Sequence, residues 1–230
     1  LESEGVQYIF GIPGEENLEV IEALRNSPIR FITVRHEQGA AFMADVYGRL
    51  TGKPGVCLST LGPGATNLMT GVADANLDGA PLVAITGQVG TDKMHITSHQ
   101  YLDLVSMFNP VTKWAKQIVR PDTVMEIVRT AFSVAVSRKP GAVHIDLPNN
   151  IAAMPVTGRP LRKSEREKTY ASYDSIEKAA AAISRAKNPL ILAGSASIRA
   201  GASRALTRFA NELKIPVDNT FMGKGIIPFT

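Results

Sequence analysis

The chain has 230 residues, 44% of them hydrophobic, and a formal net charge of +4, enough for one complete hydrophobic core and part of a second. Its positive residues are scattered apart from Arg159 to Lys168, which argues against a nucleic-acid surface, and no run reaches the roughly 18 apolar residues that a membrane helix needs. The single cysteine, Cys57, lies in an apolar run and cannot make an intramolecular disulfide, so a small buried hydrophobe in a reduced cytoplasmic protein is expected.

Leu1 to Glu4 reads as the tail of a helix capped at Gly5, and GKGIIPFT at the other end stops without closing an element. With no initiator Met and no charged-then-apolar leader, the sequence is expected to be cut from something longer. Val6 to Phe10 then predicts a short strand ending in Gly11-Ile12-Pro13-Gly14, and Leu18, Ile21 and Leu24 recur at helical spacing. A second strand, Ile29 to Val34, runs into Arg35-His36-Glu37, where a helix begins with Ala40, Met43, Ala44, Tyr47 and Leu50 on one face. After the turn Gly52-Lys53-Pro54-Gly55 come a third strand, Val56 to Ser59, and Gly62-Pro63-Gly64 opening a helix lined by Ala65, Leu68, Met69, Val72 and Ala73.

Leu82 to Thr86 predicts a fourth strand, ended by Gly87. The stretch from Gln88 to Phe108, with His95, His99 and Gln100, has no clear periodicity and is a candidate active-site loop. Val111 to Trp114 and Lys116 to Val119 are ambiguous. Asp122 reads as the N-cap of a helix with Val124, Ile127, Val128, Ala131, Phe132 and Ala135 on one face, and Ala142 to Leu147 as a last strand closed by Pro148. This alternation predicts an α/β fold over residues 1–152, a doubly wound parallel sheet with helices on both faces. Residues 153–173, including RPLRKSEREK, have no apolar face and read as a solvated linker. From residue 174, a helix (Ile176, Ala179, Ala180, Ile183), a strand (Leu190 to Ala193) and a helix (Ala202, Leu206, Phe209, Leu213) begin a second α/β domain that reads as truncated at residue 230.

Ligands of such sheets sit outside the carboxyl ends of the strands. Four of those ends carry special residues: Gly11 to Gly14, His36-Glu37, Gly62 to Gly64 and Gly87-Gln88. Turns need Gly and Pro anyway, but together these ends outline one cleft. Neither glycine loop fits a dinucleotide or P-loop fingerprint; Gly62 to Asn67 could hold an anion through backbone N–H groups. Glu37, between an apolar strand and Ala40, Ala41 and Phe42, is expected to be partly desolvated, a setting suited to proton exchange; the plainer alternative is a helix-start glutamate complementing the dipole. His95 and His144 have no partners at metal-ligand spacing, and Asp74 and Asp78 read as solvated or capping positions.

The motifs FGIPG, RHEQGAAFMADVYGRLTGKPGVCLSTLGPGATNL, DANLDGAPLVAITGQV and PGAVHIDLP resemble the thiamine diphosphate-dependent enzymes, most closely the acetolactate synthase large subunits. The likeness to their pyrimidine-binding domain spans residues 5–150, and LILAGSAS and KGIIP extend it more loosely into the central domain. It implies thiamine diphosphate as cofactor and decarboxylative condensation of two 2-oxo acids, here pyruvate, to 2-acetolactate, in branched-chain amino acid or acetoin metabolism. By the same match Glu37 hydrogen-bonds N1′ of the aminopyrimidine, and Gln100 faces the reacting carbon from the neighbouring polypeptide. Pro13 and Gly14 border the ring, and Gly62, Gly64 and Asn67 shape the glutamate's surroundings.

The family's diphosphate and Mg²⁺ site lies in a further domain marked by Gly-Asp-Gly, a motif this sequence does not contain. No metal ligand is therefore expected in this chain, which alone is expected to hold half of the cofactor site and be inactive. Arg138-Lys139-Pro140-Gly141-Ala142 stands where biosynthetic members read Gly-Arg-Pro-Gly-Pro, which leaves FAD open. Pro148-Asn149-Asn150 stands where Pro-Lys-Asp is common, which leaves substrate preference open, and HQYLDLVSMFNPVTKW looks more like the catabolic, flavin-independent branch. A cytoplasmic homodimer or tetramer is implied, with no nucleic-acid or membrane partner. The competing readings are a pyruvate oxidase or benzoylformate-type decarboxylase of the same cofactor class, and a non-catalytic dimerising or nucleotide-binding module.

Overall fold

Parallel strands cannot be joined by tight turns, so each needs a crossover, and helices supply it. The structure is a computed structural model that describes residues 1–96, 98–161 and 170–228. They belong to two compact units, residues 1–163 and 164–230. Most of the charged stretch RPLRKSEREK, expected as linker, lies outside the described residues.

In the first unit the strands are β1 (Tyr8–Gly11), β2 (Arg30–Thr33), β3 (Gly55–Ser59), β4 (Leu82–Gln88), β5 (Ala115–Gln117) and β6 (Ala142–Pro148). Among the described residues they form a six-stranded sheet in the order β2-β1-β3-β4-β6-β5, with every neighbouring pair parallel. The helices are α1 (Leu18–Leu24), α2 (Glu37–Thr51), α3 (Pro63–Asp78), α4 (Leu104–Phe108), α5 (Val124–Val136) and α6 (Asn149–Ala152). One side of the sheet packs Ala84 and Ala142 with Ala44, Leu68, Val72 and Phe108; the other packs Ile9, Val56, Val83 and Ile145 with Phe132 and Ala135. Covered on both faces, β3 and β4 are buried at every residue, the reason their sequences run apolar without alternation. The doubly wound α/β expectation holds. Cys57, inside β3, is fully buried, and burial pushes its thiol up to about 12, so it is inert.

Several local expectations are corrected. β4 does not stop before Gly87: it runs on to Gln88, with Gly87 and Gln88 in register with Leu147 and Pro148. Of the ambiguous segments, Val111 ends a 3-10 turn, Asn109–Val111, and only Lys116 and Gln117 are strand, in β5 at the sheet edge. Asp122 does not cap α5; its carboxylate takes the Arg120 guanidinium, and a 3-10 turn, Pro121–Thr123, leads into the helix. The buried stripe of α2 is Ala40, Ala41, Ala44, Asp45 and Gly48, whereas Met43 and Leu50 are exposed, because β3 and α3 approach too closely for large side chains. A Cβ on Gly55 would sit 1.9 Å from the Ala44 carbonyl oxygen. Asp74 and Asp78 are neither free nor caps: both hold Arg49 of α2, at 2.7 Å each, alongside Asp45. At the start, Glu2–Glu4 is a 3-10 turn whose Gly5 cap has φ 79°, and the Glu4 carboxylate pairs with Arg129 of α5.

The second unit carries α7 (Tyr173–Arg185), β7 (Ile191–Ala193), α8 (Ser195–Arg199), α9 (Ser203–Leu213) and β8 (Val217–Asn219). Its two strands are parallel, with Ile191 opposite Val217. The helix, strand and helix expected from residue 174 are all present, and this unit too is α/β.

Candidate functional site

The chain leaves β1 first toward β2 on one side and then, through α2, toward β3 on the other. Such a reversal leaves a crevice between two neighbouring strands at their carboxyl ends. Here the crevice lies between the loops after β1 and β3, and the loop after β2 delivers Glu37 to it.

Each loop is fixed by its own sequence. Beyond β1, the buried Asn17 side chain accepts from the Gly14 N–H at 2.9 Å and donates to the Ile12 carbonyl at 3.2 Å, closing the Ile12-Pro13-Gly14 turn on itself. Thr60, just after β3, donates to the Glu16 carboxylate at 2.5 Å and so ties the two loops across the crevice. A Cβ on Gly14 would sit 2.6 Å from Thr60 Cβ, one on Gly64 2.9 Å from Thr60 Cγ2, and one on Gly87 2.6 Å from the Glu16 carbonyl oxygen. Only glycine lets these backbones approach so closely.

Glu37 is the first residue of α2 and is 9% exposed. His36 caps the helix, its Nδ1 accepting from the Gln38 N–H at 3.2 Å, so the glutamate side chain is free to turn toward α3. There Asn67 Nδ2 donates to Glu37 Oε2 at 3.0 Å. Oε1 accepts no hydrogen bond among the described residues and faces the Gly64 backbone, 3.4 Å from where a Cβ would stand. The result is a buried carboxylate with one oxygen held and the other presented beside a glycine-lined wall. The acidic side chain beside the Gly62–Gly64 loop is the chain's own Glu37.

Of the residues singled out from sequence, Glu37, Asn67, Gly62 and Gly64 come together directly, and Gly14 joins them through Thr60. Pro13 is exposed at the rim. Gln100 is also exposed, at φ 56°, and its carbonyl oxygen would lie 2.7 Å from a Cβ on Gly62, so its backbone closes over that loop. Among the described residues no cluster of three His, Cys, Asp or Glu side chains is arranged to hold a metal ion.

Sequence reading passed over three of the residues that shape the crevice, Glu16, Asn17 and Thr60. Asn17, three residues after Gly14, carries the Asx-type spacing that could have marked it. It also passed over a buried polar cluster inside the apolar strands. Asp146 of β6 accepts from Thr86 Oγ1 at 3.0 Å, from Gln117 Nε2 at 2.6 Å and from Gln88 Nε2 at 3.4 Å. Burial is the main reason its pKa rises to about 6. Because the Thr86 hydroxyl donates to the carboxylate, it must accept from His144 Nε2 at 2.9 Å, which assigns the imidazole proton to Nε2. Burial keeps His144 neutral, with its pKa lowered to about 3, and its ring stacks on Phe108 at 4.0 Å between centroids.

Comparison with known proteins bears on what this crevice holds. The family described as "Thiamine pyrophosphate enzyme, N-terminal TPP binding domain" matches residues 1–107, and "Thiamine pyrophosphate enzyme, central domain" matches residues 176–230. The probable acetolactate synthase large subunit of Methanocaldococcus jannaschii is 43% identical over 99% of this chain and 40% of its own length. The catabolic acetolactate synthase of Raoultella terrigena is 42% identical over 99% of this chain and 41% of its own. For the acetolactate synthase isozyme 1 large subunit of Escherichia coli the figures are 37%, 99% and 41%. The chain therefore spans about 40% of the length of these relatives.

Proposed function

We propose that the chain belongs to the thiamine pyrophosphate enzymes and provides the pyrimidine side of the cofactor site in an acetolactate synthase that condenses two pyruvates with loss of CO₂. The observation that carries this reading is Glu37: a buried carboxylate at a helix start, one oxygen fixed by Asn67 and the other open to the crevice. The glycines at 14, 62 and 64 let Thr60 and the Gln100 backbone pack closely around the carboxylate, and the free Oε1 is an acceptor suited to a ring nitrogen of a heteroaromatic cofactor.

When bound, thiamine diphosphate supplies the carbon nucleophile that attacks a 2-oxo acid and accepts the electrons left as CO₂ departs. The chain's own residues prepare that chemistry. Glu37 Oε1 is the atom that would share a proton with a ring nitrogen, and Asn67 keeps the carboxylate from rotating away. Burial strengthens such a bond by excluding competing water. Gly14 and Gly64 leave room for the Thr60 side chain to pack between the two loops and so hold them in place beside Glu37. Pro13 would border the ring, and Gln100, over the Gly62 loop, would face the reacting carbon in a neighbouring subunit. The exposed Met43, Val46 and Leu50 on α2 support assembly as a homodimer or tetramer.

We assign residues 1–152 to the pyrimidine-binding domain, 153–173 to a linker and 174–230 to the central domain. Mg²⁺ and the diphosphate we place on parts of the relatives' length that this chain does not span. FAD is not required by the reading: in this structure Lys139 donates to the Leu77 carbonyl at 2.6 Å and so caps α3. We place the protein in the cytoplasm; no described helix is long and apolar enough to cross a membrane.

Calorimetric titration of the native protein containing this chain with thiamine diphosphate and Mg²⁺ tests the proposal. Saturable binding that the Glu37→Gln substitution weakens is expected. Absence of binding by the unsubstituted protein would refute it and leave Glu37 as a helix-start carboxylate.

A further inference from the structure

The sheet buries one polar cluster that the proposed chemistry does not use. Register places Thr86, Asp146 and Gln117 side by side across β4, β6 and β5, on the face where Phe108 of α4 covers His144. Thr86 comes from β4, paired on both sides, and Gln117 from the edge strand β5, and each donates to the carboxylate from within the sheet. The third donor to the carboxylate, Gln88, is different, because it also reaches out of the sheet. Its amide nitrogen gives one hydrogen to Asp146 at 3.4 Å and the other to the carbonyl of Leu102 at 3.0 Å, while its Oε1 accepts from the Val89 N–H at 3.1 Å. Gln88 is buried, and both its amide nitrogen and its amide oxygen are engaged.

Leu102 follows Gln100 by two residues. Gln100 has a left-handed backbone, φ 56°, which residues with a side chain adopt only when their surroundings hold them there. Tyr101 packs against the core on this side of the sheet, and the Gln88 bond pins the carbonyl beyond it. With both in place, the Gln100 backbone sits on Gly62, the residue that opens α3 and so precedes Asn67, the partner of Glu37.

We infer that Asp146 is a positioning residue for the cleft: its carboxylate fixes the Gln88 amide, Gln88 fixes the Leu102 carbonyl, and this holds the Gln100 backbone against Gly62 beside Glu37. Its bearing on turnover rests on the function proposed above; the contacts do not. The groups facing Asp146 are Thr86 and Gln88 from β4, Gln117 from β5, His144 through Thr86, and Asp103 at the head of α4, whose charge acts in the same direction as burial. As pH falls through about 6 the carboxyl gains a proton and one of its oxygens becomes a donor. The Gln88 bond, the longest of the three, is then the one given up.

Amide hydrogen exchange of the native protein containing this chain, followed on the peptide covering residues 98–103, tests this with D146N and Q88M beside the unsubstituted protein. Q88M keeps the volume and leaves Asp146 its Thr86 and Gln117 bonds. Protection of the peptide is expected to fall about tenfold in both variants. In the unsubstituted protein, once intrinsic exchange rates are corrected, protection should step down as pH is lowered through about 6, a step that D146N lacks. For pyruvate, kcat of Q88M should fall about tenfold with KM changed by less than about twofold, as expected for lost orientation. Unchanged protection in Q88M at neutral pH, or the same pH step in D146N, would overturn the assignment; if D146N does not fold, Q88M decides alone. A native protein that binds thiamine diphosphate but shows none of these loop effects refutes the positioning role, whereas loop effects in a protein that binds no thiamine diphosphate refute the function instead.

Discussion

Glu37 and Asp146 are both buried carboxylates, yet their partners give them different tasks. Glu37 has one donor, Asn67, and an open oxygen at the crevice, so it can still bond to a ligand. Asp146 has three donors from the protein and no route to a ligand, so its charge acts on structure. The pKa of Asp146 rises from 3.8 to about 6, chiefly through burial; the native state therefore binds its proton more tightly than the unfolded chain does. Between those two values the native state carries the extra proton, and stability contributed at this site falls as pH rises through the window, then levels off. The difference of about two pKa units corresponds to about 3 kcal/mol. Subtracting the stability of D146N, which cannot titrate there, should isolate this slope in denaturant unfolding measured between pH about 4 and about 7. A flat difference would show that Asp146 titrates in the native state as it does in the unfolded chain.

At the scale of elements, the site depends on how closely α2 and α3 approach. Small residues make that possible: a Cβ on Gly71 of α3 would lie 2.6 Å from Ala41 Cβ and 3.0 Å from the Phe42 backbone nitrogen of α2. Farther along, Arg49 of α2 grips Asp74 and Asp78 of α3 while its Nε and Nη2 make paired bonds, both 2.8 Å, to the buried Asp45. Together these hold Asn67 within reach of Glu37. Gly71→Ala sets two effects against each other. Alanine improves helix propensity by about 1 kcal/mol, but overpacking against backbone that cannot yield costs about 1–3 kcal/mol. The steric term is expected to win, because its neighbours are a short side chain and a main-chain atom rather than a flexible tip. Thermal unfolding should show Gly71→Ala to be less stable than the unsubstituted chain; a gain in stability would mean that the helices can separate without loss.

For the molecule as a whole, the sheet order places the loops after β1, β2 and β3 at one end, and much of this was legible in the sequence. Apolar runs separated by helical patterns located β3, β4 and β6 to within a residue or two, and Gly11–Gly14, Glu37 and Gly62–Gly64 stood out because glycines and a lone carboxylate interrupt those runs. Asp146, His144, Gln88 and Thr86 were not legible as a cluster. They lie within apolar strands, and only the register between β4, β6 and β5 brings them together. The inner face of α2 was misread for a related reason: hydrophobic periodicity gives weight to Met43 and Leu50, whereas tight packing selects Ala and Gly. The most direct test of the central claim is the rate of acetolactate formation from pyruvate, with thiamine diphosphate and Mg²⁺ present, by the native protein containing this chain and by its Glu37→Gln variant. Loss of a proton-sharing carboxylate is expected to lower that rate by a factor on the order of 10² to 10⁴ while the variant remains folded. A folded variant that keeps the full rate would contradict the account.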